Sequence, residues 1–334
     1  MTIREELEQR EAKDLSPYAC LAKDSKGRER EIEPCPLRTC FQRDIDRVVH
    51  CKAFRRLKHK TQVFLCPEGD HYRTRMTHTL EVNRVARTIC RGLGLNEDLA
   101  EAAALGHDLG HTPFGHAGER ILNDIMADGF RHNEQSLRVV DRLENNGQGL
   151  NLTYEVRRGI VCHSSGEMAE TLEGQVVRFA DKIAYLSADI DDALRGGVLY
   201  PLDIPAELVQ ILGSTHSERL NSFITDIITE SQGKGKILQS DRMRQAQADL
   251  NTFMFSSVYL NSIAKTEETK AQELIYRLFE YYVKHPDLLG DEYRDIWEKE
   301  GRERAVCDYI AGMTDAYAVE TYQDLFIPKS WAVK

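Results

Sequence analysis

An all-α fold is what this sequence predicts, and three observations carry the expectation. Apolar residues recur at helical spacing through most segments between Arg43 and Tyr322, the pattern of chains that bury one helix face. Alternating apolar and polar runs, which would mark half-buried strands, are nearly absent. Turn-forming clusters punctuate the periodic segments, as at Pro67 to Asp70, Asn145 to Gly149 and Gly196 to Pro205.

Taken in order, Met1 to Gln42 is charged and carries Pro17, Pro34 and Pro36 with a turn at Ser25 to Arg28, so a loosely packed arm with one short helix near its start is expected. From Arg43 to Lys60, Ile45, Val48, Val49, Ala53 and Leu57 lie near helical spacing. The Pro67 to Asp70 break makes Thr61 to Arg75 a connecting loop. His78, Val82, Val85 and Ile89 then repeat at i, i+4, i+7 and i+11, and Ala100, Ala103, Ala104 and His107 repeat the stripe on a second helix ending at Gly110. His116 opens a helix running through Ile121, Leu122 and Ile125 to about Gly129; Pro113 just ahead of it suits a helix start, where its missing N–H has no partner. Helices follow at about His132 to Asn145 and Thr153 to Cys162, and Val176, Val177, Ala180, Ile183 and Ala184 make the apolar face of another. Gly196, Gly197, Pro201 and Pro205 suggest a boundary, after which helical spacing resumes over Ala206 to Thr229, Ile237 to Ile263, Thr269 to Lys284 and Arg302 to Tyr322. The expected organisation is an arm (1–42), a core (43–195) and a C-terminal helical region (196–334) closing over the site.

With 334 residues and 41% hydrophobic content, the chain can build one large core or two domains. No run approaches the roughly 18 apolar residues of a membrane span, and charge begins at Arg4, so no membrane and a cytoplasmic location are expected. The eight cysteines show no CxxC spacing, which argues against a zinc ribbon or a disulfide framework. The net charge of −10 disfavours polyanions, yet Arg43 to Arg91 holds twelve Lys/Arg against five Asp/Glu, a local +7. Such a compact basic segment suits a polyphosphate better than long nucleic acid.

Six of the eleven histidines (His71, His78, His107, His111, His116 and His132) fall within one 62-residue window. His78 projects from an apolar helix face and needs a partner there. Two helices bringing His78, His107 and the adjacent Asp108 to one point would leave a metal shell open, and Asp181 is a candidate fourth ligand. Asp181, Tyr185 and Asp189 lie at i, i+4 and i+8, a polar stripe on an otherwise apolar helix. His116 and Glu119, three apart, are close enough to touch. Two imidazoles and two carboxylates admit Mn²⁺, Mg²⁺, Fe²⁺, Zn²⁺ or Ni²⁺.

Those residues, with FRRLKHKTQVF (54–64), RTRMTHTLEV (73–82), GHDLGHTPFGHAGE (106–119) and ADKIAYLSADIDD (180–192), resemble the bacterial dGTP triphosphohydrolase family of the HD-domain metal phosphohydrolases. The resemblance runs with gaps from about Gly27 to about Phe326. It implies an HD-domain helical core with an additional C-terminal helical region, and cleavage of a deoxynucleoside triphosphate between the 5′ oxygen and the α-phosphorus. His116 matches the family's catalytic histidine and Glu119 the acid that orients it, with His111 and His132 as candidate phosphate contacts. Arg75 and Lys182 match phosphate-binding residues, Tyr185 and Asp189 those that pack under the deoxyribose and bond its 3′-OH, Gln62 the base-edge reader and Tyr317 a sugar- or base-flanking tyrosine. Ala316 departs from the pattern, which shows a basic residue there. The resemblance also implies a homo-oligomer, a hexamer by analogy, and admits an allosteric dNTP or single-stranded DNA. Two other readings stay open: an HD nucleotidase or phosphodiesterase releasing single phosphates, and a nucleotide- or single-strand-binding regulator without turnover, which would have no use for an acid–base dyad.

Overall fold

A computed structural model describes residues 1–62, 73–164, 166–259 and 262–329. Among the described residues it contains sixteen α-helices and no strand, only isolated bridges between Arg28 and Thr153 and between Thr61 and Thr74. No described helix is long and apolar enough to cross a membrane. The expected loop at Thr61 to Arg75 falls mostly outside the described residues, as does His71.

The centre is a trio: α4 (Arg75–Leu93), α5 (Glu97–Gly106) and α9 (Leu172–Arg195). Thr74 starts α4 by accepting from the Thr77 N–H, and Gly94 ends it at φ 66°, a left-handed conformation open to glycine. Asn96 caps α5, with Glu97 and Asp98 favourably placed in its first turn. Val82, Val85 and Ile89 of α4 bury against Val176, Ile183 and Ile190 of α9, each side chain contributing about 1.5–3 kcal/mol by leaving water. On one flank α2 (Cys40–His50), α3 (Lys52–Arg56) and α8 (Tyr154–Val161) close over α5 through Phe41, Val48, Phe54 and Ile160. α6 (Gly115–Ile125) and α7 (His132–Arg138) lie between α5 and α8 in sequence.

The C-terminal region divides by what it packs on. α10 (Ala206–Leu212), α11 (His216–Ser231) and α12 (Asp241–Met254) extend the α4–α9 core through Leu208, Phe223, Ile227 and Leu250. α13 (Ser262–Lys284), α14 (Asp291–Glu300), α15 (Arg302–Ala311) and α16 (Asp315–Phe326) share a separate core in which Leu122 of α6 meets Ile275, Leu278, Val306 and Ile310.

Several expectations need correcting. The N-terminal arm, with α1 (Ile3–Asp14), is pinned rather than loose: the Arg28 guanidinium is buried against Asp44 and also donates to the Cys40 and Asn151 carbonyls, and Glu173 accepts from the Cys20 N–H. Arg43 to Lys60 is not one helix, because Glu144 takes the N–H groups of Lys52 and Ala53 and the Cys51 thiol takes that of Phe54, which starts a new helix. α5 stops at Gly106, not Gly110, leaving His107 as its C-cap. Gly213, at φ 102°, splits the segment expected to be helical from Ala206 to Thr229, and α14 was not expected.

Candidate metal centre and substrate cavity

His78 projects from the first turn of α4, His107 and Asp108 from the end of α5, and Asp181 from the middle of α9. The ligand atoms of His78, His107 and Asp108 lie within 4.8 Å of one another. Asp181 Oδ1 stands 3.1 Å from His78 Nε2 and 3.8 Å from His107 Nε2. His107 Nδ1 is 2.6 Å from the Ala104 carbonyl, which can only accept, so the ring proton sits on Nδ1 and Nε2 keeps its lone pair. That Nε2 is buried with no hydrogen-bond partner among the described residues. An unpaired imidazole lone pair facing two carboxylates and a second imidazole fits a divalent cation, and the Nδ1 bond is the outer contact that orients such ligands. Burial would raise the Asp108 carboxyl, but cationic neighbours, the Arg75 guanidinium among them, outweigh it and hold the group well below the usual range. Arg75 Nη1 donates to Asp108 Oδ2 at 2.7 Å.

Beside the cluster runs a row of histidines. His163 Nδ1 lies 2.7 Å from the Ile160 carbonyl and so donates, which leaves Nε2 as an acceptor. His132 Nε2, 3.1 Å away, must then donate to it, while His132 Nδ1 sits 2.8 Å from Glu119 Oε1. A ring donating from both nitrogens is an imidazolium. Burial works against that charge, but Glu119 overcomes it and the His132 pKa is raised, whereas burial pushes His163 down to about 3. Glu119 is held far below the carboxylate range, the hydrogen bonds from His116 and His132 exceeding the effect of burial. His116, exposed to the cavity, faces the other Glu119 oxygen at 3.2 Å. His111 stacks on His132 at 4.4 Å and is kept neutral, first by burial and then by Arg75.

His116 reaches this place through an unusual helix start. Phe114 adopts φ 61°, ψ 25°, a left-handed conformation costing a non-glycine residue roughly 1–3 kcal/mol. Such local strain is commoner at working sites than elsewhere.

These groups open onto a cavity of about 810 Å³. Gln62, Arg75, His111, His116, Glu119, His132, Lys182, Tyr185 and Asp189 all line it. Gln62 Oε1, His111 Nδ1 and Asp189 Oδ1 are buried there without a hydrogen-bond partner among the described residues, a state that calls for a water, an ion or a ligand to answer them. Tyr317 does not reach the cavity: it is 47% exposed on α16 and touches Tyr309. Another tyrosine stands where it was expected. Tyr259, in a π-helical turn after α12, donates its hydroxyl to Asp189, and Asn251 meets the Tyr185 hydroxyl at 3.3 Å. Burial lifts the Asp189 carboxyl to about 7. Sequence reasoning missed His163, Tyr259 and Asn251. The only available signal for His163 was one more histidine closing a helical segment, and the wide turn moves Tyr259 off the face that regular spacing predicts.

A helical bundle that brings two histidines and two aspartates together beside a His–Glu pair is the arrangement of an HD-type metal phosphohydrolase. The HD domain family matches residues 75–186 and the phosphohydrolase-associated domain family residues 237–324. The deoxyguanosinetriphosphate triphosphohydrolase-like protein of Caldanaerobacter subterraneus subsp. tengcongensis is 56% identical over 331 residues, covering 99% of this chain and 98% of that one. Its namesake in Clostridium perfringens (strain SM101 / Type A) is 48% identical over 338 residues, covering 98% and 99%. A phosphohydrolase structure from Bacteroides thetaiotaomicron shares the fold at a TM-score of 0.53 with 21% identity, covering 84% of this chain and 67% of that one. The chain belongs to the deoxyguanosinetriphosphate triphosphohydrolase-like family.

Proposed function

We propose that this phosphohydrolase converts deoxynucleoside triphosphates, dGTP foremost, to deoxynucleoside and tripolyphosphate, as a cytoplasmic homo-oligomer. The observation that carries the reading is the order of groups along α9. Asp181 stands in the metal cluster, Lys182 follows it, and Tyr185 and Asp189 line the same cavity one and two turns further on. A helix rises 1.5 Å per residue, so Asp189 lies about 12 Å along the axis from Asp181, a span suited to a metal-held phosphate and the sugar attached to it.

When bound, a divalent ion (Mn²⁺, Mg²⁺ or Fe²⁺ by family resemblance) supplies Lewis acidity at a phosphate oxygen. The chain's own residues do the rest. Arg75 and Lys182 hold phosphate oxygens, the fork of Arg gripping two and Lys acting as a point charge. Water adds to the α-phosphorus as the bond to the 5′ oxygen breaks; the proton the water sheds balances the one the departing oxygen takes up, and His116 serves that transfer. Glu119 orients His116 and balances the charge it carries. His132, locked between Glu119 and His163, adds a fixed positive charge beside the phosphates.

Sugar choice gives the first test. A ribonucleotide must displace the Tyr185 ring or bury a 2′-hydroxyl without a partner, which costs about 1–3 kcal/mol. Tyr185→Ala should narrow the kcat/KM ratio of dGTP over GTP, while Asp189→Ala should weaken both substrates through the shared 3′-OH. Comparable hydrolysis of GTP and dGTP by the unaltered protein would favour a general nucleotidase instead.

The pH profile gives the second. Because the pKa of His132 is raised, its imidazolium persists above the ordinary histidine range and is lost as pH climbs through the raised value; Glu119, held low, stays ionised throughout. kcat should therefore fall on the alkaline side, and His132→Gln should flatten that limb. An unchanged limb in the variant would remove His132 from the rate.

A further inference from the structure

We propose that Asp315 is a positioning residue for the acid–base side of the site, its single carboxylate fixing the two chain segments that present Gln62 and His116. The inference rests on the role given to His116 above.

Asp315 opens α16, far in sequence from the metal cluster, and is only 6% exposed. Both of its oxygens are used. Oδ2 accepts from the Thr61 N–H at 2.9 Å and from the Thr61 hydroxyl, and Oδ1 accepts from the Phe114 N–H at 3.0 Å. Thr61 immediately precedes Gln62, and Phe114 is the left-handed residue that launches α6 two positions before His116. The two segments also touch: a Cβ added to Gly115 would sit 3.4 Å from the Gln62 carbonyl and 3.3 Å from Arg75 Nη2. Lys60 braces the same corner, its ammonium donating to the carbonyls of His111 and Ala311, while its own carbonyl accepts from the Arg75 N–H at 3.0 Å. The corner between α15 and α16 thus grips the cavity wall at Thr61, His111 and Phe114. In the segment AGMTDAYA the buried charged group is Asp315; Tyr317, two residues on, faces out.

A carboxylate suits this place because all three donors need acceptors. Asparagine has the same size but only one accepting oxygen, so Asp315→Asn leaves at least one backbone N–H facing an amine. We expect Asp315→Asn to keep wild-type metal content and to lower kcat for dGTP roughly 10-fold to 100-fold, the scale of small misplacements of a reacting group. In a His116→Ala background the same change should alter the rate less than about 2-fold, because residues acting through one another are not additive. Amide exchange should quicken at Thr61–Gln62 and Phe114–His116 while α9 keeps its protection. Thr61→Val, which deletes only the hydroxyl donor beside Gln62, should quicken exchange at Thr61–Gln62 and leave Phe114–His116 unchanged, with a smaller loss of rate, and it carries the test if Asp315→Asn does not fold. Equal losses in both backgrounds, loss of metal, or unchanged exchange at the two segments would each overturn the proposal. If the unaltered protein hydrolyses no dNTP, the functional reading fails by itself, and the exchange comparison still decides for or against the clamp.

Discussion

Replacing His116 with alanine is expected to leave bound metal in place and to lower kcat by roughly 10²-fold to 10⁴-fold, the usual contribution of a positioned acid–base group. His116 is not within the His78/His107/Asp108 cluster; it groups instead with His111 and Glu119, and its hydrogen bond among the described residues runs to Glu119, so removing it subtracts no ligand from the His78/His107/Asp108 set. It is also the exposed end of the histidine row, so its loss opens no gap in a packed core. Metal content by elemental analysis and kcat on the same preparation check both halves. Equal rates for the two proteins would take the His116–Glu119 pair out of the reaction.

The second large effect belongs to the cluster itself. Asp181→Ala or His107→Ala should remove metal and turnover together, with affinity for the ion falling by more than the roughly 10-fold to 100-fold typical of losing an outer contact. His107 is the sharper case. Its ring is wholly buried and its Nδ1 proton is committed to the Ala104 carbonyl, which leaves Nε2 without a hydrogen-bond partner among the described residues and open to a cation. Thermal unfolding with and without added Mn²⁺ gives a readout besides activity: the unaltered protein should gain stability from the ion, as any ligand of the folded state provides, and the variants should not. A variant with full metal content and rate would show the centre to be assigned wrongly.

What was legible in the sequence followed from period. His78 continues the apolar stripe of Val82, Val85 and Ile89, and His107 that of Ala100 and Ala103, so the interior positions of both rings could be read directly. Asp181, Tyr185 and Asp189 share one helix and one cavity for the same reason. The parts that were not legible depend on polar contacts between segments distant in sequence. Arg28 meeting Asp44, Glu144 starting α3 and Asp315 bonding Thr61 and Phe114 leave no apolar pattern to detect. Tyr259 was hidden by a change of helix type, and Phe114 by a backbone conformation that nothing in its side chain announces. Periodicity locates faces; it does not say which buried charge answers which.

The most direct measurement is the identity of the products. Mn²⁺-loaded protein would be incubated with dGTP and the mixture separated by ion exchange, with phosphate-containing and nucleoside products quantified in parallel. Deoxyguanosine and intact tripolyphosphate in equal amounts, with no dGDP or dGMP on the way, is the predicted result. Orthophosphate or pyrophosphate appearing together with dGDP or dGMP would contradict it, because the bond broken would then lie beyond the α-phosphorus.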